Sequence, residues 1–159
     1  MQINQIQFDS RKIKTGDVFV AIKGTQVDGH DFIDTAIKLG ACAIVFEETP
    51  AEMISNVCYI KSKQAAKSLA LMAAEFYGNP TQSFKLIGVT GTNGKTTVVS
   101  LLYKLFKDLG YKCGLLSTIR VMIDDEEIHA THTTPDSLQL NQLFRQMADQ
   151  DCSYCFMEV

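Results

Sequence analysis

Apolar positions along this chain follow two periods, and short strand-length runs alternate with segments of helical spacing. Residues 63–77 and 98–109 repeat apolar side chains every three or four positions, which predicts two amphipathic helices. Two further helices are predicted over residues 30–39 and 135–150, the last with Thr134 as N-cap and Pro135 in its first turn. Strands are predicted at residues 3–8, 18–22, 41–46, 57–60, 84–89, 113–118, 119–123, 127–130 and 153–159.

This order of elements predicts an α/β protein built from two small domains. The turn residues of Gly78-Asn-Pro-Thr-Gln-Ser83 are the best boundary, and they divide the chain into residues 1–83 and 84–159. The second domain is predicted to hold a mostly parallel sheet. Two or three parallel strands make a small sheet, so we expect this domain to be truncated.

The chemistry is concentrated in Gly88-Val-Thr-Gly-Thr-Asn-Gly-Lys-Thr-Thr97. This stretch lies between the strand 84–89, which its apolar residues predict to be buried, and a predicted helix. Strand, glycine-rich turn, Gly-Lys-Thr and helix is the layout of a phosphate-binding loop. Glycines let backbone N–H groups converge on phosphate oxygens, and the helix N-terminus adds partial positive charge. Lys95 would reach the β- and γ-phosphates, and the Thr96 hydroxyl would bind Mg²⁺.

The spacing departs from the strict phosphate-loop pattern, because Val89 occupies the place of its first glycine. A glycine-rich turn that binds nothing is the alternative. The order of strand, lysine, hydroxyl and helix favours a nucleoside triphosphate. A second candidate metal residue is Glu158, which follows an apolar strand downstream of the loop, where phosphate-loop enzymes place an acid near Mg²⁺.

Two other groups of residues are predicted to be structural. The acidic run 124–127 is expected to be the solvated tip of a hairpin rather than a cation site. The five cysteines are expected to be buried and reduced. Cys152 and Cys155 have the spacing of half a zinc site, but three positions apart in a strand they would point to opposite faces.

Composition narrows the class of protein. A formal net charge of −3 argues against a protein that binds nucleic acid electrostatically, because such a protein would show a basic face. No apolar run approaches the roughly 20 residues of a membrane helix, and the N-terminus lacks the pattern of a signal peptide. We therefore expect a cytoplasmic protein without membrane insertion, and a monomer.

Several motifs together resemble the Mur ligases of bacterial cell-wall synthesis. Three stretches are similar to the domain of these enzymes that holds the UDP end of the substrate: Asp9-Ser-Arg11, Gly16-Asp-Val-Phe-Val-Ala-Ile-Lys-Gly24 and Asp28-Gly-His-Asp-Phe-Ile33. Thr90-Gly-Thr-Asn-Gly-Lys-Thr-Thr97 resembles their ATP loop, unusual spacing included. Three later stretches resemble motifs of the family members that add the third residue of the peptide: Gly114-Leu-Leu-Ser-Thr-Ile119, Thr133-Thr-Pro-Asp136 and Met157-Glu-Val159.

The resemblance implies a UDP-binding-like first domain and a Rossmann-like, phosphate-loop ATPase domain after it, together about a third of a family member. It assigns roles to individual residues. The residues that would contact UDP are Phe8, Ser10, Thr25, Gln26 and Val27, and those that would contact the muramoyl-peptide portion are Thr133 and Thr134. ATP would be bound by Gly91, Thr92, Asn93, Gly94, Lys95, Thr96 and Thr97. Mg²⁺ would be bound by Thr96 and Glu158.

The implied reaction is ATP-dependent amide-bond formation. ATP would phosphorylate the D-Glu carboxylate of UDP-MurNAc-L-Ala-D-Glu, and the amine of meso-diaminopimelate or L-Lys would displace phosphate. Three alternatives remain open: the related ligase that adds D-Ala-D-Ala, a small-molecule phosphotransferase, and a nucleotide-binding module without activity. We expect no ligase turnover from the 159 residues alone.

Overall fold

The computed structural model describes residues 3–128 and 135–159. Its contacts divide the chain into two compact units, 1–73 and 74–159. This division falls inside a helix, and the assignment of functions to residues 1–83 and 84–159 stays a prediction. No helix in the described ranges is long and apolar enough to cross a membrane.

The first unit is a parallel sheet of four strands in sequential order. The strands are β1 (Ile6–Gln7), β2 (Val18–Val20), β3 (Ala43–Phe46) and β4 (Cys58–Lys61). Both faces of β2 and β3 are buried, as expected for the centre of a parallel sheet. β1 is shorter than the predicted strand over residues 3–8, because the chain turns into a 3₁₀ segment at Ser10–Lys12.

Two helices and a second 3₁₀ segment complete this unit. The predicted helix over residues 30–39 is a 3₁₀ turn, Gly29–Phe32, followed by α1 (Ile33–Lys38). The predicted helix over residues 63–77 is α2 (Ala65–Phe76). Ile33 and Ala36 of α1 pack on Phe19 and Ile44 of the sheet, and this cluster is the core of the unit.

The second unit contains a five-stranded sheet in the order β5-β9-β6-β7-β8. Its strands are β5 (Lys85–Val89), β6 (Cys113–Leu116), β7 (Val121–Ile123), β8 (Glu126–Ile128) and β9 (Tyr154–Glu158). β5, β9 and β6 are parallel, and β7 and β8 form the predicted hairpin. The sequence predicted β5 as a buried strand; this is wrong, because it lies at the edge of the sheet and Leu86 is exposed.

Helices α3 (Lys95–Asp108) and α4 (Ser137–Asp149) pack on opposite faces of this sheet. Val99 of α3 joins Leu115 and Phe156 in one core cluster, and Phe144 of α4 joins Cys155 in the other. The N-cap of α4 is Asp136, whose carboxylate accepts from the N–H groups of Leu138 and Gln139, so the prediction of Thr134 as cap is wrong.

Three further predictions need correction. Cys152 lies just before β9, so strand alternation does not apply to it, and it packs in the same cluster as Cys155. All five thiols are free, but Cys58 on the edge strand β4 is exposed and Cys42 is partly exposed, so the prediction of burial is wrong for these two. The hairpin tip is not simply solvated, because Lys107 of α3 pairs with both Asp124 and Asp125.

Candidate functional site

The predicted phosphate loop connects the end of β5 to the start of α3. Gly91 and Gly94 have φ angles of 150° and 79°, which side chains with a Cβ rarely adopt. Gly94 is the N-cap residue of α3, and no described side chain caps the helix there. The first N–H groups of a helix lack partners within the helix, so this end presents donors that suit an anion.

Lys95 begins α3 and bends back over the loop. Its Nζ donates a hydrogen bond of 2.8 Å to the carbonyl oxygen of Gly91. The ammonium group is thereby held beside the loop rather than extended into solvent. The Lys95 ammonium group is therefore already close to the position that a phosphate group at the loop would occupy.

Thr96 and Glu158 meet beside this loop. The Thr96 hydroxyl donates a hydrogen bond of 2.9 Å to Oε2 of Glu158. The same carboxylate oxygen accepts from the backbone N–H of Thr118 at 3.3 Å and from its hydroxyl at 3.4 Å. The hydrogen bond from Thr96 is the main reason that the pKa of Glu158 lies below its usual value, with smaller contributions from Thr118 and Lys95.

Strand register brings these residues together. β5 and β9 are parallel neighbours, and Val89 at the end of β5 is paired with Glu158 at the end of β9. Glu158 follows Phe156 by two positions, so both side chains point to the face covered by α3. The carboxyl ends of β5, β9 and β6 therefore converge on the first turn of α3, as ligand sites in open α/β sheets do.

Sequence reasoning did not assign Thr118 to the site, although it lies in the quoted motif 114–119. Its signal was its position two residues beyond the end of β6, a parallel strand next to β9. That neighbour relation depends on β9 inserting between β5 and β6, which local sequence does not show. Thr92, Asn93 and Thr97 lie in or directly after the loop and are exposed.

A second candidate site is a cavity of about 580 Å³ in the first unit. It includes three of the five residues predicted to contact UDP, namely Phe8, Ser10 and Val27. Thr25 and Gln26 are exposed on the same loop as Val27 but do not line the cavity. Seven lining residues were not predicted: Asp9, Arg11, Phe19, Ile22, Gly24, Gly29 and Phe32.

The walls of this cavity are fixed by short-range contacts. Arg11 donates two hydrogen bonds of 2.8 Å to the carboxylate of Asp9, and this pairing holds the pKa of Asp9 below its usual value. Gly29 lies so close to Ile22 that a Cβ would come within 2.6 Å of the backbone nitrogen of Ile22. Only glycine allows the two backbone segments to approach in this way.

The remaining predictions concern the contacts to the muramoyl peptide and the binding of a metal ion. Thr133 and Thr134 lie outside the described residues. In the ranges 3–128 and 135–159, no group of three or more His, Cys, Asp or Glu side chains is arranged to hold a metal ion. The candidate ligands for Mg²⁺ are thus the oxygen atoms of Thr96 and Glu158, supplemented by a bound nucleotide.

Comparison with known proteins gives a consistent assignment. Residues 2–77 match the Mur ligase family catalytic domain, and residues 89–159 match the Mur ligase middle domain. The chain is 49% identical over its whole length to a UDP-N-acetylmuramoyl-L-alanyl-D-glutamate–2,6-diaminopimelate ligase of Bacteroides thetaiotaomicron. It is 51% identical, over 99% of its length, to the protein of the same name from Phocaeicola vulgatus. It spans 33% of each of these relatives.

Solved structures agree with the sequence comparison. A structure of a UDP-N-acetylmuramoyl-L-alanyl-D-glutamate–2,6-diaminopimelate ligase has a TM-score of 0.79 and 26% identity, covering 99% of this chain and 32% of its own. The MurF ligase of Thermotoga maritima in complex with ADP has a TM-score of 0.58 and 26% identity, over 98% of this chain and 31% of its own. Both family matches, the whole-chain identity and the shared α/β fold lead to one conclusion: this chain belongs to the Mur ligase family.

Proposed function

We propose that this chain contributes the ATP site and the UDP-substrate site of a peptidoglycan-precursor ligase. The reaction would join diaminopimelate to the D-Glu carboxylate of UDP-MurNAc-L-Ala-D-Glu. The observation that carries the proposal is the contact of Thr96 with Glu158 beside the loop 91–97. Two oxygen ligands beside a phosphate loop suit a nucleotide bound together with a divalent cation. The proposed reaction type is taken from the names of the relatives.

The ATP site is proposed at the junction of β5 and α3. The phosphate oxygens would be bound by backbone N–H groups of the loop, namely those of Gly91, Thr92, Asn93, Gly94, Lys95, Thr96 and Thr97. The Lys95 ammonium would leave or share its contact with Gly91 and neutralise charge on the β- and γ-phosphates. This chain's role in phosphoryl transfer is therefore positioning and charge neutralisation.

The residues present fit Mg²⁺. This ion prefers oxygen ligands and is bound by one or two carboxylates together with substrate phosphates. Thr96 and Glu158 supply a hydroxyl and a carboxylate already in contact. When bound, Mg²⁺ would offset the charge of the phosphates and favour their attack by a carboxylate. Thr118 would keep Oε2 of Glu158 oriented through its own N–H and hydroxyl.

The UDP end of the substrate is proposed to occupy the cavity in the first unit. Phe8 and Phe32 offer aromatic surface to a base, and Ser10 offers a hydroxyl. Thr25, Gln26 and Val27 are proposed to close over the nucleotide from the loop between β2 and the 3₁₀ turn. Thr133 and Thr134 are proposed to contact the muramoyl peptide.

In the proposed reaction, a carboxylate oxygen of D-Glu attacks the γ-phosphorus of ATP, and ADP leaves. The product is an acyl phosphate, whose carbonyl carbon is then attacked by the amine of the diamino acid. The C–O bond to phosphate breaks, the amine loses a proton, and inorganic phosphate departs. Lys95 and the loop amides would stabilise the negative charge that develops on the transferred phosphoryl group.

The related ligase that adds D-Ala-D-Ala has weaker support. The described fold superposes better on the diaminopimelate ligase, at a TM-score of 0.79, than on MurF structures, at 0.58 to 0.63. The names of the relatives favour diaminopimelate over L-Lys.

Titrations that follow individual backbone amides by NMR would test the proposal. UDP-MurNAc-L-Ala-D-Glu should shift amides around Phe8, Ser10 and Val27, and ATP with Mg²⁺ should shift those of residues 91–97. Each ligand should bind in the presence of the other. A chain that binds ATP but not the UDP-linked peptide would favour a small-molecule phosphotransferase and contradict the ligase proposal.

A further inference from the structure

The loop between β2 and the 3₁₀ turn forms one wall of the cavity in the first unit. Ile22, Gly24, Val27 and Gly29 all line that cavity. The loop closes on itself through hydrogen bonds from Gly24 N–H to the Val27 carbonyl at 3.0 Å and from Gly29 N–H to the Ile22 carbonyl at 2.9 Å. These bonds fix the shape of the loop but do not attach it to the rest of the unit.

The imidazole of His30 makes the buried part of that attachment. Its Nε2 accepts hydrogen bonds from the backbone N–H groups of Glu47 at 3.0 Å and Glu48 at 3.2 Å. Its Nδ1 lies 2.6 Å from Oδ1 of Asp28, at the end of the loop. The side chain is only 12% exposed. One ring therefore joins the cavity loop to the turn that follows β3.

These partners determine the hydrogen-bonding roles of the two ring nitrogens. A nitrogen that accepts two N–H bonds carries no proton, so the remaining proton is on Nδ1 and is donated to Asp28. Protonating both nitrogens would bring the Nε2 proton against two other donors. The His30 ring thus accepts hydrogen bonds at Nε2 and donates one at Nδ1.

Both ends of this connection are themselves anchored. Asp28 also accepts from the backbone N–H of His30 at 2.9 Å and caps the 3₁₀ turn. Glu47 accepts from the backbone N–H of Ala65 at 2.6 Å, which ties the turn after β3 to the start of α2. The Lys23–Glu48 ion pair crosses the same gap at 2.9 Å, but both side chains are more than half exposed, and such pairs contribute little.

We propose that His30 is a positioning residue for the cavity: its imidazole, hydrogen-bonded at both nitrogens, holds residues 23–29 in the shape that accepts the nucleoside diphosphate end of the substrate. This inference rests on the proposed function of the cavity. Preorganisation of a binding loop raises affinity because less conformational entropy is lost on binding. His30 itself does not line the cavity, so its effect is exerted through the loop.

The test compares the affinity of the whole 159-residue chain for UDP and for ATP with Mg²⁺ by calorimetry. His30→Leu removes both hydrogen-bonding ends and leaves the amides of Glu47 and Glu48 without an acceptor, so UDP affinity should fall roughly tenfold or more. ATP affinity should not change. His30→Gln retains an acceptor at the far end of the side chain and should bring UDP affinity back to within about threefold of the unaltered chain. Lys38→Gln, on the exposed side of α1, is the control.

The ¹⁵N spectrum of the His30 ring provides a readout that is independent of ligand. The hydrogen bonds predict a proton on Nδ1 and none on Nε2, and a proton on Nε2 would overturn the inference. Equal UDP affinity of the unaltered chain and His30→Leu would also overturn it. If His30→Leu weakens both ligands together and His30→Gln rescues neither, His30 only supports the fold and the inference is wrong. Failure of the unaltered chain to bind UDP would instead remove the proposed function of the cavity.

Discussion

Thr96 and Glu158 are separated by 62 positions in the chain, yet the hydroxyl of one donates a 2.9 Å hydrogen bond to the carboxylate of the other. The contact exists because β9 lies directly beside β5, so the acidic end of one strand lies next to the loop that leaves the other. This pair links the predicted phosphate loop to the only acidic side chain that the described hydrogen bonds connect to it. It is therefore where the role of a metal ion can be tested.

Glu158→Gln should reduce the effect of Mg²⁺ on ATP binding. The amide keeps the size of the side chain but removes the negative charge that attracts the cation. We expect ATP affinity with Mg²⁺ to fall roughly tenfold, and affinity without the ion to change little. Calorimetric titrations with Mg²⁺ and with EDTA measure the difference. Glu127→Gln, in the exposed hairpin, is the matched control, and an unchanged Mg²⁺ effect in Glu158→Gln would argue against a metal role.

Phe8→Ala should weaken binding of UDP without affecting ATP. Phe8 lines the cavity in the first unit, where an aromatic ring can stack on a base. Such stacking contributes about 1–3 kcal/mol, so UDP affinity should fall roughly tenfold. Ile3→Ala removes an exposed apolar side chain outside the cavity lining and should have no effect. Equal UDP affinity of Phe8→Ala and the unaltered chain would exclude Phe8 from the site.

Asp136→Ala should destabilise the second unit through the start of α4. The Asp136 carboxylate accepts from two backbone N–H groups at 2.9 Å each, and loss of such a cap costs about 1 kcal/mol. Urea unfolding measures the change in free energy. Gln142→Ala, on the exposed side of the same helix, should leave the free energy nearly unchanged. A neutral Asp136→Ala would show that α4 does not depend on this cap.

Thiol reactivity should separate Cys58 from the three buried cysteines of the second unit. Cys58 is exposed and should react with a thiol reagent at once. Burial raises the pKa of Cys113 to about 11 from 9.0, and it also raises the pKa of Cys152 and Cys155, so these thiols should react only as the unit opens. The Cys58→Ser variant should lose the fast phase and keep the slow one. A fast reaction at Cys113 in the folded chain would contradict the described core.

The same burial predicts a loss of stability at high pH. Between about pH 9 and pH 11 the unfolded chain releases the Cys113 proton while the folded chain retains it. The free energy of unfolding should therefore decrease across this range, and Cys113→Ala should reduce the slope of the decrease. Denaturant titrations at several pH values measure it, and an equal slope in both proteins would mean that other groups are responsible.

Some features of the fold and of the candidate site could be predicted from the sequence, and others could not. The loop 91–97, the helix after it and Glu158 were all predictable, because a phosphate loop and an acid after an apolar strand are local patterns. Thr118 was not, since its contact with Glu158 depends on the order β5-β9-β6. The exposure of β5 has the same origin, because an apolar run does not reveal whether a strand lies at an edge.

Residues that act through long-range contacts were the least predictable. The role of His30 depends on backbone N–H groups 17 and 18 positions away, which no spacing rule identifies. The cap of α4 was misassigned because Thr134 and Asp136 both suit an N-cap position, and only the hydrogen bonds of the carboxylate decide between them. Local pattern thus predicted most elements and the position of the glycine-rich loop 91–97, whereas tertiary contacts determine how the candidate sites are completed.

The most direct test is a calorimetric titration of the chain with ATP and Mg²⁺, comparing the unaltered protein with Lys95→Met and Lys104→Met. Lys104 is an exposed lysine on the same helix and controls for a general loss of charge. A hydrogen bond to a charged group contributes about 1.5–3 kcal/mol, so Lys95→Met should weaken ATP binding roughly tenfold or more while Lys104→Met leaves it unchanged. ATP binding of equal strength by Lys95→Met and the unaltered chain would contradict the account, because the loop 91–97 would not then be the ATP site.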